Sequence, residues 1–240
     1  TTTYVDIDRA DHVLLVGFEP EEESPIVFLR INKQVRKRAL KVTAIATKLS
    51  IGVEKLKGEF VKVAPGAEAS AIASQSLTAK SVILVGERAA ESAGVLSAVA
   101  ALADSTKAKI AWIPRRAGER GALEAGAIGN LLPGGRPVTD ASARVDIAAV
   151  WGVDSLPSAE GKSAQEIYAA VNAGEIGALL VGGVDPLDGD NSQGALAALE
   201  KAFVVSLEIA SSAVTQRADV VLPVAAITEK SGSFLNWEGR

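Results

Sequence analysis

Three short apolar runs that each end in glycine constrain the fold of this chain more than any other feature of its sequence. They are Val13–Gly17, Val82–Gly86 and Leu179–Gly183. A continuous apolar run of this length is typical of a strand buried on both faces of a parallel sheet. Stretches with helical spacing separate the runs, as crossovers between parallel strands require. The sequence therefore predicts an α/β fold with parallel, Rossmann-like sheets.

The first run opens a predicted βαβ unit. Ser24 is placed to cap a helix that begins at Pro25, and Val42–Ala46 supplies the next strand. The residues expected on the buried face of that helix are Ile26, Leu29 and Val35. Similar spacing predicts the strands Phe60–Val63, Lys109–Ile113, Phe203–Leu207 and Ala218–Pro223, and helices over 66–75, 95–104, 140–150, 163–173, 192–202 and 211–216.

The segment Arg115–Pro137 is rich in glycine, arginine and proline and has no sustained periodicity. Such a change in composition is typical of a crossing between two lobes. We therefore predict a first α/β lobe over residues 1–114, and a crossing segment with a second, partial lobe over residues 115–240. A short echo between the runs that begin at Leu14 and Leu179 agrees with two related lobes.

Composition excludes several classes of function. The net charge of −4 and the pI near 5.2 disfavour nucleic acid and anionic membranes as partners. No apolar run approaches the ~20 residues of a membrane span, and the first residues lack the features of a signal peptide. We expect no direct membrane insertion and a cytoplasmic location. The absence of methionine, including a start Met, predicts a fragment of a longer gene product.

Metal and redox chemistry are also disfavoured within this chain. It has no cysteine, so it holds neither a disulfide nor a thiolate-ligated iron–sulfur cluster, and His12 is its single histidine. We expect no metal site, and we interpret His12 as a solvated loop residue. No nucleophile with a neighbouring base is recognisable, so we assign no catalytic residues.

None of the glycine-bearing turns fits a phosphate-binding motif. The turn after Gly17 has one glycine followed by acidic residues, and the turn after Gly183 again carries acids. Gly161-Lys162-Ser163 resembles the end of a P-loop without its first glycine, and the spacing of Ser163 and Glu166 favours a capping box instead.

The end of the chain carries its most specific pattern, ADVVLP followed by EK-x-G-[ST]-x-x-N-x-EGR, which spans Ala218–Pro223 and Glu229–Arg240. This pattern resembles the molybdopterin oxidoreductase superfamily. Members of that superfamily carry G-x-N-P turns after the first strand of each lobe, and the corresponding turns here are Gly17–Pro20 and Gly183–Pro186. The resemblance covers nearly the whole chain and implies the two middle α/β lobes of a molybdopterin oxidoreductase large subunit.

The departures from the pattern bear on function. Where the molybdenum enzymes have neutral asparagines, this chain has Glu19 and Asp185, and an unpaired carboxylate beside a pyrophosphate opposes binding. We therefore expect no cofactor at a vestigial crevice, whose residues would be Gly17, Glu19, Pro20, Gly183, Asp185 and Pro186.

Within the superfamily, the chain looks most like the family of large iron–sulfur subunits of bacterial NADH:quinone oxidoreductase, respiratory complex I. That resemblance implies a structural segment without its own redox centre, whose parent subunit binds iron–sulfur clusters upstream. It also implies other peripheral-arm subunits as partners, on the cytoplasmic side of the inner membrane.

Two alternatives stay open on the sequence. One is a fragment of an active molybdopterin oxidoreductase, such as a formate dehydrogenase or nitrate reductase, whose metal ligand would lie outside these residues. The other is the central domain of a thiamine-diphosphate enzyme, which shares buried βαβ units but leaves the terminal pattern unexplained.

Overall fold

The computed structural model describes residues 2–189 and 191–240. The chain divides into two compact units, one made of the residues up to Gly121 together with Phe234–Arg240, and the other of Ala122–Ser233. Each unit contains its own parallel sheet, which confirms the predicted α/β fold class. None of the helices formed by the described residues has the length and apolar character needed to span a bilayer.

The sheet of the first unit has the strand order β3-β2-β1-β4-β5, and all of its neighbouring strands are parallel. Its strands are β1 (His12–Val16), β2 (Lys41–Ala46), β3 (Glu59–Lys62), β4 (Val82–Gly86) and β5 (Lys109–Ile113). Its helices are α1 (Tyr4–Arg9), α2 (Pro20–Glu23), α3 (Pro25–Arg38), α4 (Ile51–Lys55), α5 (Glu68–Ala73) and α6 (Val95–Thr106). The order reverses at β1, so β1 and β4 lie at a topological switch point.

Both faces of this sheet are covered. Side chains of α3 and α4 pack on one face, and side chains of α5 and α6 pack on the other. Every residue of β1 and β4 is buried as a result, which is the environment that their apolar, glycine-ended sequences predicted.

The predicted buried face of α3 is wrong at two of its three residues, and only Val35 packs against the core. Ile26 and Leu29 are more than half exposed, whereas Val27, Phe28 and Ile31 are buried. This face packs in one core with the residues of β1 and β2 and with Ile7 of α1, a helix that was not predicted. Arg30 on its outer side pairs with Asp8 of α1.

The second unit follows a different winding. Its elements are the hairpin β6 (Leu131–Leu132) and β7 (Arg136–Pro137), the helices α8 (Ala141–Trp151), α9 (Ala164–Ala173) and α10 (Ser192–Lys201), and the strands β8 (Ala178–Gly182), β9 (Phe203–Glu208) and β10 (Val220–Pro223). Helix α7 (Glu119–Ala125) precedes the hairpin. The parallel sheet has the order β10-β9-β8, and α9 and α10 pack together on one face.

Two local predictions are corrected here. The segment Arg115–Pro137 is not irregular, because it forms α7 and a hairpin whose turn uses Gly134 and Gly135 at positive φ. The predicted helix over 211–216 is a turn, in which Ser212 and Thr215 bond through their side chains to each other's backbone amides. Such local bonds compete with a helix.

The terminal segment Phe234–Arg240 belongs to the first unit, whereas the predicted division placed it with the second lobe over residues 115–240. Trp237 is buried with its ring edge-on to Tyr4, at 4.8 Å between ring centroids. Glu238 accepts a hydrogen bond of 2.6 Å from the backbone N of Tyr4. Trp237 and Glu238, two residues of the terminal pattern, therefore hold this segment against α1. The boundary placed at residue 114 stays a prediction.

Candidate functional site

A cavity of about 1090 Å³ lies in the first unit at the carboxyl ends of β1 and β2. Val16–Glu19 line one part of it, Ala44–Lys48 line another, and Phe60 and Ser92 contribute from neighbouring segments. This is the position at which parallel α/β sheets bind ligands. Of the predicted site residues, Gly17 and Glu19 line it, and Pro20 lies buried at the start of α2.

Gly17 allows two backbone turns to approach closely at the switch point. Its φ is +56°, and a Cβ atom built there would overlap the backbone N of Ala89 and lie 2.9 Å from its Cα. Gly86, at the end of β4, faces the same turn, and a Cβ atom placed on it would lie 3.0 Å from Cα of Phe18. The glycines that end these strands therefore permit packing between the β1 and β4 turns rather than cradling a phosphate.

Glu19 closes the helix end that would otherwise face the cavity. It is the N-cap of α2, where its Oε1 accepts a hydrogen bond of 3.3 Å from the backbone N of Glu21. Ser50, the N-cap of α4, donates its hydroxyl to Oε2 of the same carboxylate. The amide that an anion would contact is thus engaged by a side chain.

The charges that line the cavity also disfavour an anion. Five glutamates face three cations, which leaves a formal charge of −2: the acids are Glu19, Glu22, Glu23, Glu68 and Glu91, and the bases are Lys48, Arg88 and Arg115. Arg88 is already paired with Glu23, whose side chain is only 6% exposed. A pyrophosphate would therefore enter against a net negative lining. The residues present do not fit a pterin dinucleotide.

Sequence reasoning named Glu19 but missed Ser50, Glu23 and Arg88 as residues of this cavity. Their signals in the sequence were weak, because Ser50 precedes a short helix that was not predicted, and Glu23 is one of several acidic residues after Gly17. No described group of three or more histidine, aspartate or glutamate side chains is arranged to hold a metal ion.

The second predicted turn lies in the second unit. Gly183 has a φ of +63°, and Pro186 begins a short 3₁₀ turn. Asp185 caps that turn, and its Oδ1 accepts a hydrogen bond of 2.9 Å from the backbone N of Leu187. In both turns, therefore, the acid that stands in place of asparagine, Glu19 or Asp185, accepts a hydrogen bond from a backbone amide two residues later. The joint crevice of the two turns stays a prediction.

Ser163 has the role that its spacing favoured. Its hydroxyl accepts from the backbone N of Glu166, whose carboxylate in turn accepts from the backbone N of Ser163 at 2.7 Å. This reciprocal pair is a capping box at the start of α9, which confirms the capping interpretation over a P-loop.

His12 is not a solvated loop residue. It begins β1, is 7% exposed, and its Nε2 lies 2.8 Å from Oγ1 of Thr43 on the neighbouring strand. Burial lowers the pKa of His12, and the nearby charge of Lys41 lowers it further, against the opposite effects of Asp11 and Glu59. The sequence did not indicate that His12 is buried, because it follows the charged residue Asp11 and so looked like part of an exposed loop.

The burial of His12 predicts a pH dependence of stability. Since the pKa of His12 is lower in the folded state, the unfolded chain binds more protons as pH falls below the ordinary histidine value of about 6.5, and the fold loses stability there. We expect the melting temperature of the wild type to fall more steeply from pH 7.5 to pH 5.5 than that of His12→Gln. If the melting temperatures of the two proteins fell by the same amount between pH 7.5 and pH 5.5, this account would be contradicted.

Comparison with known proteins gives the context of the site. The model of the molybdopterin oxidoreductase family matches residues 1–240. The NADH-quinone oxidoreductase G subunit of Mycobacterium tuberculosis is 51% identical over 247 aligned residues, which cover 99% of this chain and 31% of that protein. The G subunit of Streptomyces coelicolor is 50% identical, with 99% of this chain and 30% of that protein covered.

A nitrate reductase of Symbiobacterium thermophilum is 39% identical over 49% of this chain and 16% of its own length. The chain thus spans about a third of the length of the two NADH-quinone oxidoreductase relatives and matches the nitrate reductase over half of itself. A family match over its full length, on a fold of parallel α/β sheets, shows that this chain belongs to the molybdopterin oxidoreductase family.

Proposed function

We propose that this chain is a structural segment of the large iron–sulfur subunit, the G subunit, of a bacterial NADH:quinone oxidoreductase. In this role it supports electron transfer from NADH to quinone without a redox centre of its own. The identity of 50–51% to two proteins of that name, over 99% of the chain, supports this assignment. The shorter and weaker match to a nitrate reductase agrees with membership of the same family at a greater distance.

The observation that carries the structural role is the position of the Glu19 carboxylate. It accepts hydrogen bonds from the backbone N of Glu21, at the start of α2, and from the hydroxyl of Ser50. Both groups lie at the edge of the sheet where a pyrophosphate would bind. At an effective dielectric of ~20, two like charges ~4 Å apart repel by about 4 kcal/mol, which equals roughly a thousandfold in affinity. A second acid at the corresponding turn, Asp185, acts in the same direction.

The same proposal gives the partners and the location. The iron–sulfur clusters would lie in the parent subunit outside residues 1–240. This segment would contact other subunits of the peripheral arm, on the cytoplasmic side of the membrane. An active molybdenum enzyme is the competing function, and the acidic lining of the cavity opposes it. Family membership leaves the thiamine-diphosphate interpretation without support.

Calorimetric titration with GDP tests the proposal directly. We expect no binding heat from the wild-type chain, because Glu19 already engages the amide end of α2 and the lining is negative. The Glu19→Asn, Asp185→Asn double variant removes both acids and should bind more strongly than the wild type. Glu175→Gln, at an exposed site after α9, is the control for an unspecific loss of negative charge. Micromolar binding by the wild type would favour the molybdenum enzyme instead.

A further inference from the structure

A second, smaller cavity in the first unit is lined by three arginines, and we call it the arginine cavity. Its volume is about 360 Å³, at the lower end of the range of roughly 300–1,000 Å³ for small-molecule sites. All of its lining residues belong to the first unit, and it shares only Arg115 with the larger cavity. Among the residues that line it are Ser24, Arg115, Arg116, Phe234, Trp237 and Arg240.

The formal charge of this lining is entirely positive. Arg115, Arg116 and Arg240 contribute one positive charge each, and no aspartate or glutamate is among the described residues that line the cavity. The chain as a whole carries a net charge of −4. A concave surface with charges of one sign attracts ions of the opposite sign. The arginine cavity therefore favours an anion, whereas the larger cavity disfavours one.

Two of the arginines are held in place by carboxylates outside the lining. Nε of Arg116 donates to Glu119 at 2.9 Å, and a terminal nitrogen of the same side chain lies 3.7 Å from Glu87. Nε of Arg240 lies 3.5 Å from Glu238, whose side chain is 2% exposed. A guanidinium has five N–H donors, so these partners leave donors for a ligand.

Arg115 supplies a charge that the fold does not use. Its backbone N donates to Oε1 of Glu87 at 2.9 Å, which fixes the main chain at this position. Its guanidinium is exposed and makes no ion pair with a described side chain. Arg115 is therefore the arginine most available to a bound anion.

The terminal pattern positions Arg240 at this cavity. Oδ1 of Asn236 accepts from the backbone N of Arg240 at 2.9 Å, and the backbone N of Asn236 donates to the carbonyl of Arg240 at 2.8 Å. Gly239, with a φ of +84°, permits the tight turn between them. The asparagine, glycine and arginine of the pattern thus form one closed turn beside the cavity.

Apolar side chains form the rest of the walls. Ile113, Phe234, Leu235 and Trp237 line the cavity beside the arginines, and Phe234 is 50% exposed. Ser24 adds a hydroxyl that makes no cap bond to α3. Inorganic phosphate offers nothing to apolar walls. A carboxylate on an apolar body matches both parts of the lining, because carboxylates pair with guanidinium groups in bidentate fashion.

We propose that the arginine cavity binds a small organic carboxylate with an aliphatic or aromatic body. The carboxylate accepts hydrogen bonds from Arg115 and from the unused donors of Arg116 and Arg240. The body of the ligand lies against Phe234 and Trp237. This proposal rests on the cavity alone, and it does not depend on the respiratory function.

Calorimetric titration of the complete polypeptide that contains these residues tests the proposal, with benzoate as the probe. Benzoate should bind with saturable heat. Acetate, which has the charge without the ring, should bind at least about tenfold more weakly because it buries little apolar surface. Benzamide, which has the ring without the charge, and inorganic phosphate should give no saturable heat.

Point variants assign the heat to this cavity. Arg115→Gln should weaken benzoate at least about tenfold, since hydrogen bonds to charged groups are the strong ones. It should not change the melting temperature, because the Arg115 guanidinium has no ion-pair partner in the described fold. Arg36→Gln removes an exposed arginine at the end of α3, outside the cavity, and should bind benzoate like the wild type.

Three results would overturn the proposal. The first is the absence of saturable benzoate heat from the complete polypeptide, which would show that the cavity is closed to ligands there. The second is an equal loss of affinity in Arg115→Gln and Arg36→Gln, which would indicate an unspecific effect of charge. The third is binding of benzamide or of phosphate as tight as that of benzoate, which would exclude recognition of a carboxylate on an apolar body.

Discussion

Gly17→Ala is expected to destabilise the first unit by roughly 2–5 kcal/mol, the sum of a backbone cost and a packing cost. The left-handed backbone at a φ of +56° costs an alanine ~1–2 kcal/mol. The new methyl group would also overlap the backbone of Ala89, and forced overpacking costs ~1–3 kcal/mol. Because the obstructing atoms are backbone, no side-chain rotation relieves the contact.

Gly66→Ala is the matched control for this prediction. Gly66 lies in the same unit and also has a positive φ, +85°, but a methyl group there would meet no atom within 4 Å. We expect it to cost only the backbone part, ~1–2 kcal/mol. Urea unfolding followed by tryptophan fluorescence in a Trp151→Phe background measures both, since Trp112 and Trp237 then report on the first unit. Equal costs for the two variants would show that the turns after β1 and β4 can separate freely.

Trp237→Ala is expected to destabilise the first unit by about 3–5 kcal/mol, the usual cost of removing a large buried aromatic side chain. Trp237 is 7% exposed, packs edge-on against Tyr4, and belongs to the core shared by β1 and α3. Its Nε1 has no hydrogen-bond partner among the described residues, so Trp237→Phe removes no such bond. We expect that milder change to cost ~1–2 kcal/mol.

Phe234→Ala provides the control within the same segment, because Phe234 is 50% exposed. Its cost should stay below ~1 kcal/mol. Trp112 fluorescence in the Trp151→Phe background follows unfolding of the first unit in each variant. If Trp237→Ala were no more damaging than Phe234→Ala, the terminal segment would be a loosely attached tail and not part of the core of the first unit.

The strands that could be predicted from sequence are the ones whose environment leaves a local signature. Val13–Gly17 and Val82–Gly86 are apolar at every position before the glycine because both faces of that sheet are covered. The run that begins at Leu179 carries the same signature, although one face of its sheet is bare within these residues. A local apolar run therefore predicts a strand, but it does not show which faces of that strand are covered.

Helix orientation could not be predicted in the same way. Helix α3 has apolar residues around more than one side, at Ile26, Val27, Phe28, Leu29 and Ile31, so two buried faces fit its periodicity equally well. The buried face is the one that packs with β1, β2 and α1, and α1 begins with a capping box of Thr3 and Asp6. A short helix of this kind is stabilised by what it packs against, and that partner is distant in sequence.

The candidate site shows a similar division. The presence of an acid at Glu19 and at Asp185 was evident from sequence, and so was its conflict with an anionic ligand. What the Glu19 carboxylate does instead depends on Ser50, which lies 31 positions away and approaches only when α2 and α4 pack at one edge of the sheet. Pairs of this separation carry no local periodicity.

The Glu19 cap also has a thermodynamic consequence for the first unit. A helix end that relies on a dissociable anion gains stability only as far as the free anion exceeds its dissociation constant. The carboxylate of Glu19 is covalently attached and remains beside the amide of Glu21 at any metabolite level. The Glu19 cap of α2 therefore does not depend on the concentration of a free anion.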